Sequence, residues 1–259
     1  MLTTARAAFL LAAALVLGSA PRASAQDDDV DALRFETDLL SSVYQVFAPF
    51  PWTEKPDQVS FVYADSRNTI RQYLYDGGRL RETWKSFPLE GAAQAVFAED
   101  LNGDGRPEII TFTTGARIYV WETIKYTLLW ESVEENFETI SAMAIANVDR
   151  DAALELVVCA DNLIHYYDGV EFFRDKVGRD FVDPRVILVA DVDGDLTDEI
   201  ITDDGYVLDT NTLSIEYAVE GFGYPMSLFD IDNDGILEVM GEKGGVIQFW
   251  DVKDRREIW

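Results

Sequence analysis

Asp100-Leu-Asn-Gly-Asp-Gly-Arg-Pro-Glu108 lies between two apolar stretches, Ala95-Val-Phe-Ala98 and Ile109-Ile-Thr-Phe112. The same frame returns as Asn147-Val-Asp-Arg-Asp-Ala-Ala-Leu-Glu155, Asp191-Val-Asp-Gly-Asp-Leu-Thr-Asp-Glu199 and Asp230-Ile-Asp-Asn-Asp-Gly-Ile-Leu-Glu238. Oxygen-bearing side chains fill positions 1, 3, 5 and 9 in all four copies, which start 47, 44 and 39 residues apart. In this acid-rich chain about one window in 500 matches such a pattern by chance, so a single copy would carry little weight. Four copies at near-regular intervals define an internal repeat.

The chemistry of the pattern is that of a hard cation. Calcium takes six to eight oxygens at about 2.3–2.6 Å from carboxylates, amide oxygens, backbone carbonyls and water. Alternate residues of a tight loop aim their side chains inward. The position-7 carbonyl (Arg106, Ala153, Thr197 or Ile236) supplies a further ligand, and the position-9 glutamate closes the cage. Without a cation, three or four carboxylates in one loop repel one another. An EF-hand also needs a glutamate at position 12 and flanking helices. Position 12 here is Thr111, Val158, Thr202 and Gly241, and the flanks read as strands. Magnesium, which keeps its waters and demands octahedral geometry, fits less well than calcium. The competing reading is a set of acidic turns that hold no metal.

Downstream of each loop a strand-like segment ends in a bulky apolar residue followed by an acid: Trp121-Glu122, Tyr167-Asp168, Leu208-Asp209 and Trp250-Asp251. Tyr75-Asp76 marks a fifth, N-terminal copy, whose loop Pro49-Phe-Pro-Trp-Thr-Glu-Lys-Pro56 has lost the ligands. Each copy supplies four short strands, the last at Leu80–Trp84, Leu128–Glu131, Glu171–Arg174, Ser214–Tyr217 and Arg256–Trp259. Four strands in 40–50 residues is the signature of a propeller blade. The expectation is an all-β, five-bladed β-propeller of four-stranded antiparallel blades over 42–259. The blades fall near 42–87, 88–136, 137–180, 181–221 and 222–259. An incomplete arc that pairs with another chain, or two packed sandwiches, are the alternatives.

At these loops the sequence resembles the FG-GAP/VCBS-type repeats of integrin alpha subunits and many secreted bacterial proteins. The resemblance covers four repeats and, more weakly, the fifth. It implies a loop joining a blade's innermost strand to the next, with calcium in a chiefly structural role. Carried over, the ligand sets are Asp100, Asn102, Asp104 and Glu108; Asn147, Asp149, Asp151 and Glu155; Asp191, Asp193, Asp195 and Glu199; and Asp230, Asp232, Asp234 and Glu238. The expected cofactor is Ca2+, three or four per chain. The chain departs from the family pattern at Ala152 and Leu196, where glycine is usual, and lacks clear Phe-Gly and Gly-Ala-Pro signatures.

Composition sets outer bounds. The 259 residues carry a formal charge of −27 with 48% hydrophobic residues, which is core-forming capacity and not that of an acidic tail. A surface so negative repels phosphate backbones, so nucleic acid is not an expected partner. Arg6, the apolar run Ala7–Leu17 and Ala23-Ser24-Ala25 read as a signal peptide over 1–25, followed by an acidic segment over 26–41. That run is shorter than the ~20 residues a bilayer span needs. The expected location is secreted or periplasmic. One Cys and one His leave little nucleophile chemistry: His165 and Cys159 both lie in strand patterns and read as packed residues.

The loops at the blade end opposite the acidic loops carry Phe87, Phe137, Phe181 and Phe222 with Tyr224. They either pack between blades or anchor a protein or glycan. Two functions follow. The first is a secreted, non-enzymatic, calcium-stabilised adhesion or binding scaffold that presents this opposite face. The alternative is a polysaccharide-active enzyme, a glycosidase or lyase, with carboxylates at the propeller funnel.

Overall fold

The computed structural model describes residues 46–259 except Glu54, Pro56, Asp57 and Arg150. The signal-peptide and acidic-segment readings lie outside these residues. The described chain is all-β, with one short helical turn at Ser132–Glu135, and forms five four-stranded antiparallel sheets. Sheet 1 comprises β1 (Phe47–Phe50), β2 (Val59–Ala64), β3 (Ile70–Asp76) and β4 (Arg79–Lys85). Sheet 2 comprises β5 (Ala93–Glu99), β6 (Glu108–Thr113), β7 (Ile118–Trp121) and β8 (Leu128–Glu131). Sheet 3 holds β9 (Ile140–Ala146), β10 (Glu155–Ala160), β11 (Leu163–Tyr167) and β12 (Arg174–Val177). Sheet 4 holds β13 (Ile187–Ala190), β14 (Glu199–Thr202), β15 (Tyr206–Asp209) and β16 (Ile215–Ala218). Sheet 5 holds β17 (Met226–Phe229), β18 (Glu238–Lys243), β19 (Val246–Asp251) and β20 (Arg256–Glu257). In every sheet the strands lie in chain order, as a meander in which consecutive strands pair.

The second strand of sheets 2 and 3 is buried on both faces: all six residues of Glu108–Thr113 and of Glu155–Ala160 are buried. Such a strand needs a neighbour on each side. The neighbours are the adjacent sheets, which meet in four successive cores. Val62 and Ile70 of sheet 1 meet Ile109, Tyr119 and Trp121 of sheet 2. Ile110, Phe112 and Val120 of sheet 2 meet Leu156 and Tyr167 of sheet 3. Val157 and Tyr166 meet Ile200 and Leu208, and Ile201 and Val207 meet Val239 and Phe222. Sheets 2 to 4 thus each have a back face toward their predecessor and a front face toward their successor. Among the described residues, no core cluster, ring contact or ion pair joins sheet 5 to sheet 1.

The fourth strands are the least regular. In sheet 3 the strand runs over Arg174–Val177, three residues later than the expected Glu171–Arg174. The cause is the turn: the Asp168 carboxylate accepts the N–H groups of Val170 and Glu171, so these donors cannot enter the ladder. The same device recurs in sheets 2, 4 and 5. Glu122 accepts from Ile124, Lys125 and Thr127, Asp209 from Thr212, and Asp251 from Asp254. Burial alone would raise the Glu122 carboxyl, but those donors hold it down at about 2.

Trp121 sits in the sheet 1–sheet 2 core, stacked on Tyr119 at 5.7 Å and edge-on to Trp84 at 5.5 Å. Tyr75 holds the equivalent place in sheet 1 and is exposed. Trp121→Ala should therefore cost about 3–5 kcal/mol in urea unfolding. Tyr75→Ala, measured at low protein concentration, should cost less than about 1 kcal/mol.

Candidate metal sites

The four acidic loops connect the first and second strands of sheets 2 to 5 and share one hydrogen-bond frame. The position-9 glutamate opens the second strand with its side chain buried (Glu108, Glu155, Glu199 and Glu238). Its carboxylate accepts the position-2 N–H in every copy, from Leu101 at 3.0 Å, Val148 at 2.8 Å, Val192 at 3.0 Å and Ile231 at 2.8 Å. The position-3 side chain accepts the position-5 N–H, and the position-5 carboxylate accepts the position-7 N–H, again four times. In three loops the position-1 carboxylate accepts the position-6 N–H, from Gly105, Leu196 and Gly235.

The second loop departs from the frame at its neutral first residue. Asn147 donates its amide to the Asp151 carbonyl instead. The position-6 residue is left-handed in the other three, with φ of 87° at Gly105, 71° at Leu196 and 91° at Gly235. Ala152 is not left-handed, so the alanine at this place is matched by a different backbone path. Leu196 is held left-handed while its side chain stands almost fully in solvent. Leu196→Gly should relieve that strain and raise stability by up to about 1 kcal/mol by thermal melting, the gain limited by the greater entropy of the unfolded chain.

The frame leaves oxygens converging. One carboxylate oxygen from each of Asp149, Asp151 and Glu155 lies within 4.8 Å of the others. The same holds for Asp191, Asp193 and Glu199, and for Asp230, Asp232 and Asp234. The first loop carries an amide as its third donor: Asn102 Nδ2 lies 3.4 Å from Glu108 Oε1. A cation there requires Asn102 to turn its oxygen inward. The donor sets fit a divalent cation. Asp230 Oδ2 accepts from Gly235 while Oδ1 is buried without a hydrogen-bond partner, an anionic oxygen that a bound cation would satisfy.

Electrostatics points the same way. Burial, and then the charges of Asp104 and Asp100, push Glu108 up to about 7. Burial with Asp149 and Asp151 does the same for Glu155, and burial with Asp193, Asp195 and Asp191 for Glu199, both to about 7. Glu238 is raised by burial and by Asp232, Asp234 and Asp230. These glutamates bind protons more tightly folded than unfolded. Between about pH 5 and 7 the native state therefore holds more protons, and the metal-free fold loses stability as pH rises through that window. Melting in EDTA should show Tm falling from pH 5 to pH 8, and a bound cation should flatten or reverse the trend.

The position-2 side chains were not singled out by the ligand pattern, although they are apolar in every copy. Leu101, Val148 and Val192 insert into the core between their own sheet and the next. The Leu101 carbonyl also accepts the Leu154 N–H of the following loop at 2.9 Å, and Ile236 of the fourth loop packs over Gly194 of the third. The first loop thus touches the second and the third touches the fourth, and the first three are pinned to inter-sheet cores. In the ligand-free loop of sheet 1, Gln58 closes the turn on Lys55. Trp52 from that loop lies under the Arg106 guanidinium of the first acidic loop, 4.6 Å from ring centre to carbon.

At the opposite strand ends, the aromatic loops divide. Phe137 and Phe222 pack into the cores, whereas Phe87, Phe181 and Tyr224 are exposed. The Arg185 guanidinium stacks 4.4 Å from the Tyr224 ring while pairing with Asp203 at 3.0 Å. His165 is buried edge-on against Phe137, its Nε2 at 3.2 Å from the Ala160 carbonyl, and burial lowers its pKa. Cys159 is fully buried, and burial pushes its thiol up to about 11. No helix among the described residues is long and apolar enough to cross a membrane.

No protein-family model matches the chain, and no curated protein sequence matches it. Solved structures do match. BBS1N in complex with ARL6DN is 15% identical with a TM-score of 0.56, over 84% of this chain and 71% of that one. Saccharomyces cerevisiae Sqt1 is 11% identical with a TM-score of 0.59, over 79% and 57%. The V. cholerae biofilm matrix protein Bap1 is 13% identical with a TM-score of 0.58, over 84% and 39%. This chain spans less than two thirds of the latter two. These neighbours are β-propeller-like, and at such identities they establish the fold alone. The described residues thus form a propeller-like repeat of five sheets, four of them bearing acidic loops, of which three gather carboxylates that could hold a metal ion.

Proposed function

We propose that the protein is a secreted, non-enzymatic scaffold whose sheets are fixed by Ca2+ in the four acidic loops. Its opposite strand ends present a binding face to a protein or glycan. The observation that carries this reading is the single hydrogen-bond frame repeated in all four loops, which buries one glutamate and gathers further carboxylates around it. Backbone donors hold part of each ligand set in place, and the remaining oxygens are left for the ion. Glu108, Glu155, Glu199 and Glu238 bind each ion from the strand. Positions 1, 3 and 5 bind it from the loop, and the carbonyls of Arg106, Ala153, Thr197 and Ile236 complete the shell.

Calcium so held neutralises the loops and stiffens the joints into which Leu101, Val148 and Val192 insert. The opposite loops then bind without a large ordering cost. Phe87, Phe181 and the Arg185–Tyr224 stack are the exposed groups available there. One structural neighbour was solved in complex with a second protein, which supports a partner-binding role for such a frame. Among the described residues, the carboxylates raised to about 7 all belong to the acidic loops, which favours the scaffold over a glycosidase at the funnel.

Thermal melting of the mature protein in EDTA and in millimolar Ca2+, with bound metal counted by native mass spectrometry, tests the reading. Three or four Ca2+ per chain and a clear rise in Tm are expected, each site adding about 2.7 kcal/mol at a hundredfold excess over Kd. Trp52 fluorescence should change with occupancy of the first loop and lose that response in Asp104→Ala. Absence of both metal and shift would reduce the loops to acidic turns.

A further inference from the structure

The repeat allows each sheet to be compared, position by position, with its neighbours. On the back face, the first apolar residue of the second strand pairs across the ladder with the bulky residue that ends the third. Ile109 pairs with Trp121, Leu156 with Tyr167, Ile200 with Leu208 and Val239 with Trp250. All four pairs belong to inter-sheet cores. The equivalent pair of sheet 1 is Val59 with Tyr75. These are 60% and 46% exposed, against 0% and 2% for Ile109 and Trp121, and on the β1 edge of the same face Phe47, opposite Tyr63, is 58% exposed. Farther along the same face, Arg71 is buried between Asp65 and Glu82, 2.7 Å from each. Tyr63 and Tyr73 of this face are buried as well, so its bare residues are Val59 and Tyr75 at the end nearest the acidic loops and Phe47 on the β1 edge.

The front face of sheet 5 shows the complementary pattern. Ile118 of sheet 2 is fully buried, and its counterpart Ile247 is 50% exposed. Leu101 is fully buried in the next joint, and its counterpart Ile231 is 37% exposed. Met240 occupies the place of Ile110 but belongs to no core cluster. The two ends of the arc thus expose the two halves of one joint. The chain builds that joint four times internally, always front face onto the following back face.

We propose that the front face of sheet 5 docks on the back face of sheet 1 of a second copy, extending the internal joint between chains. Charge favours this pairing. Residues 46–87 hold six cations against five acids, in a chain of net −27, whereas residues 222–259 hold four cations against eight acids. Sheet 1 is where a strongly acidic copy meets the least repulsion. The contact is head-to-tail, so it either closes as a ring of copies or extends as a filament. It does not depend on the loops being metal-bound.

Light scattering on the eluted mature protein at 1–100 µM should give a mass of two chains or more. Val59→Asp and Ile247→Asp, both at exposed positions, should each weaken association at least tenfold while leaving the melting of the dissociated chain unchanged. A short bismaleimide added to an equimolar mixture of the single variants Val59→Cys and Ile231→Cys should join one of each. Wild type, whose Cys159 is buried, should not cross-link. A single-chain mass throughout the range would overturn the proposal. So would a Val59→Cys/Ile231→Cys double variant that cross-links only within one chain, which would show the two ends meeting each other. Failure of calcium to bind would leave this result untouched, so the two readings fail separately.

Discussion

The bond on which the rest of the molecule depends is the one between a loop's second N–H and the carboxylate of its ninth residue. It forms four times with nearly the same length. It closes the loop across the first two strands and so fixes their register. It also turns the second residue toward the next sheet, which makes Leu101, Val148 and Val192 part of the inter-sheet cores. The same bond requires a carboxylate in a buried place beside two or three others. Folding thereby creates a charge problem whose solution is either protons or a cation.

That coupling explains why the acidic residues sit where they do. A lone surface aspartate is solvated and contributes little. Here the strand geometry places Glu108, Glu155 and Glu199 under their loops, where burial and neighbouring charges raise the pKa to about 7. Near neutrality such a group is poised between two states of similar cost. A divalent ion removes the ambiguity because it takes several carboxylates at once and displaces the protons. The loops also touch: Leu154 donates to Leu101, and Ile236 lies on Gly194. These contacts tie the first loop to the second and the third to the fourth.

The repeat, the four-stranded units and the alternating oxygen-bearing side chains were all legible in the sequence, because the loop's hydrogen-bond frame needs acceptors at odd positions and a glutamate at the strand's first residue. The second-position anchors were visible as an apolar residue in every copy, but their meaning lies in a neighbouring sheet that the loop itself does not encode. The outer strand of sheet 3 was misplaced for a different reason. Its residues are polar and exposed, so hydrophobic alternation gives no register, and the Asp168 side chain sets the start by binding two backbone donors. The aromatic loops at the far end were ambiguous because one residue type serves two purposes there. Phe137 and Phe222 fill cores while Phe181 stands in water.

A repeat fold makes burial a property of position in the array as well as of sequence. Tyr75 and Trp121 occupy the same place in their sheets and differ in exposure only because one sheet has a predecessor and the other has none among the described residues. An array of identical joints carries its adhesive surface to its ends unless something caps it. Typical terminal units are made polar to prevent this. Here sheet 1 keeps Phe47, Val59 and Tyr75 uncovered, and sheet 5 keeps Ile231 and Ile247. The acidic bulk of the chain resists indiscriminate association through long-range repulsion, while the near-neutral sheet 1 is the one place where that repulsion is relaxed. Charge distribution and apolar exposure therefore select the same surface, and they select it for a partner that carries the other half of the joint.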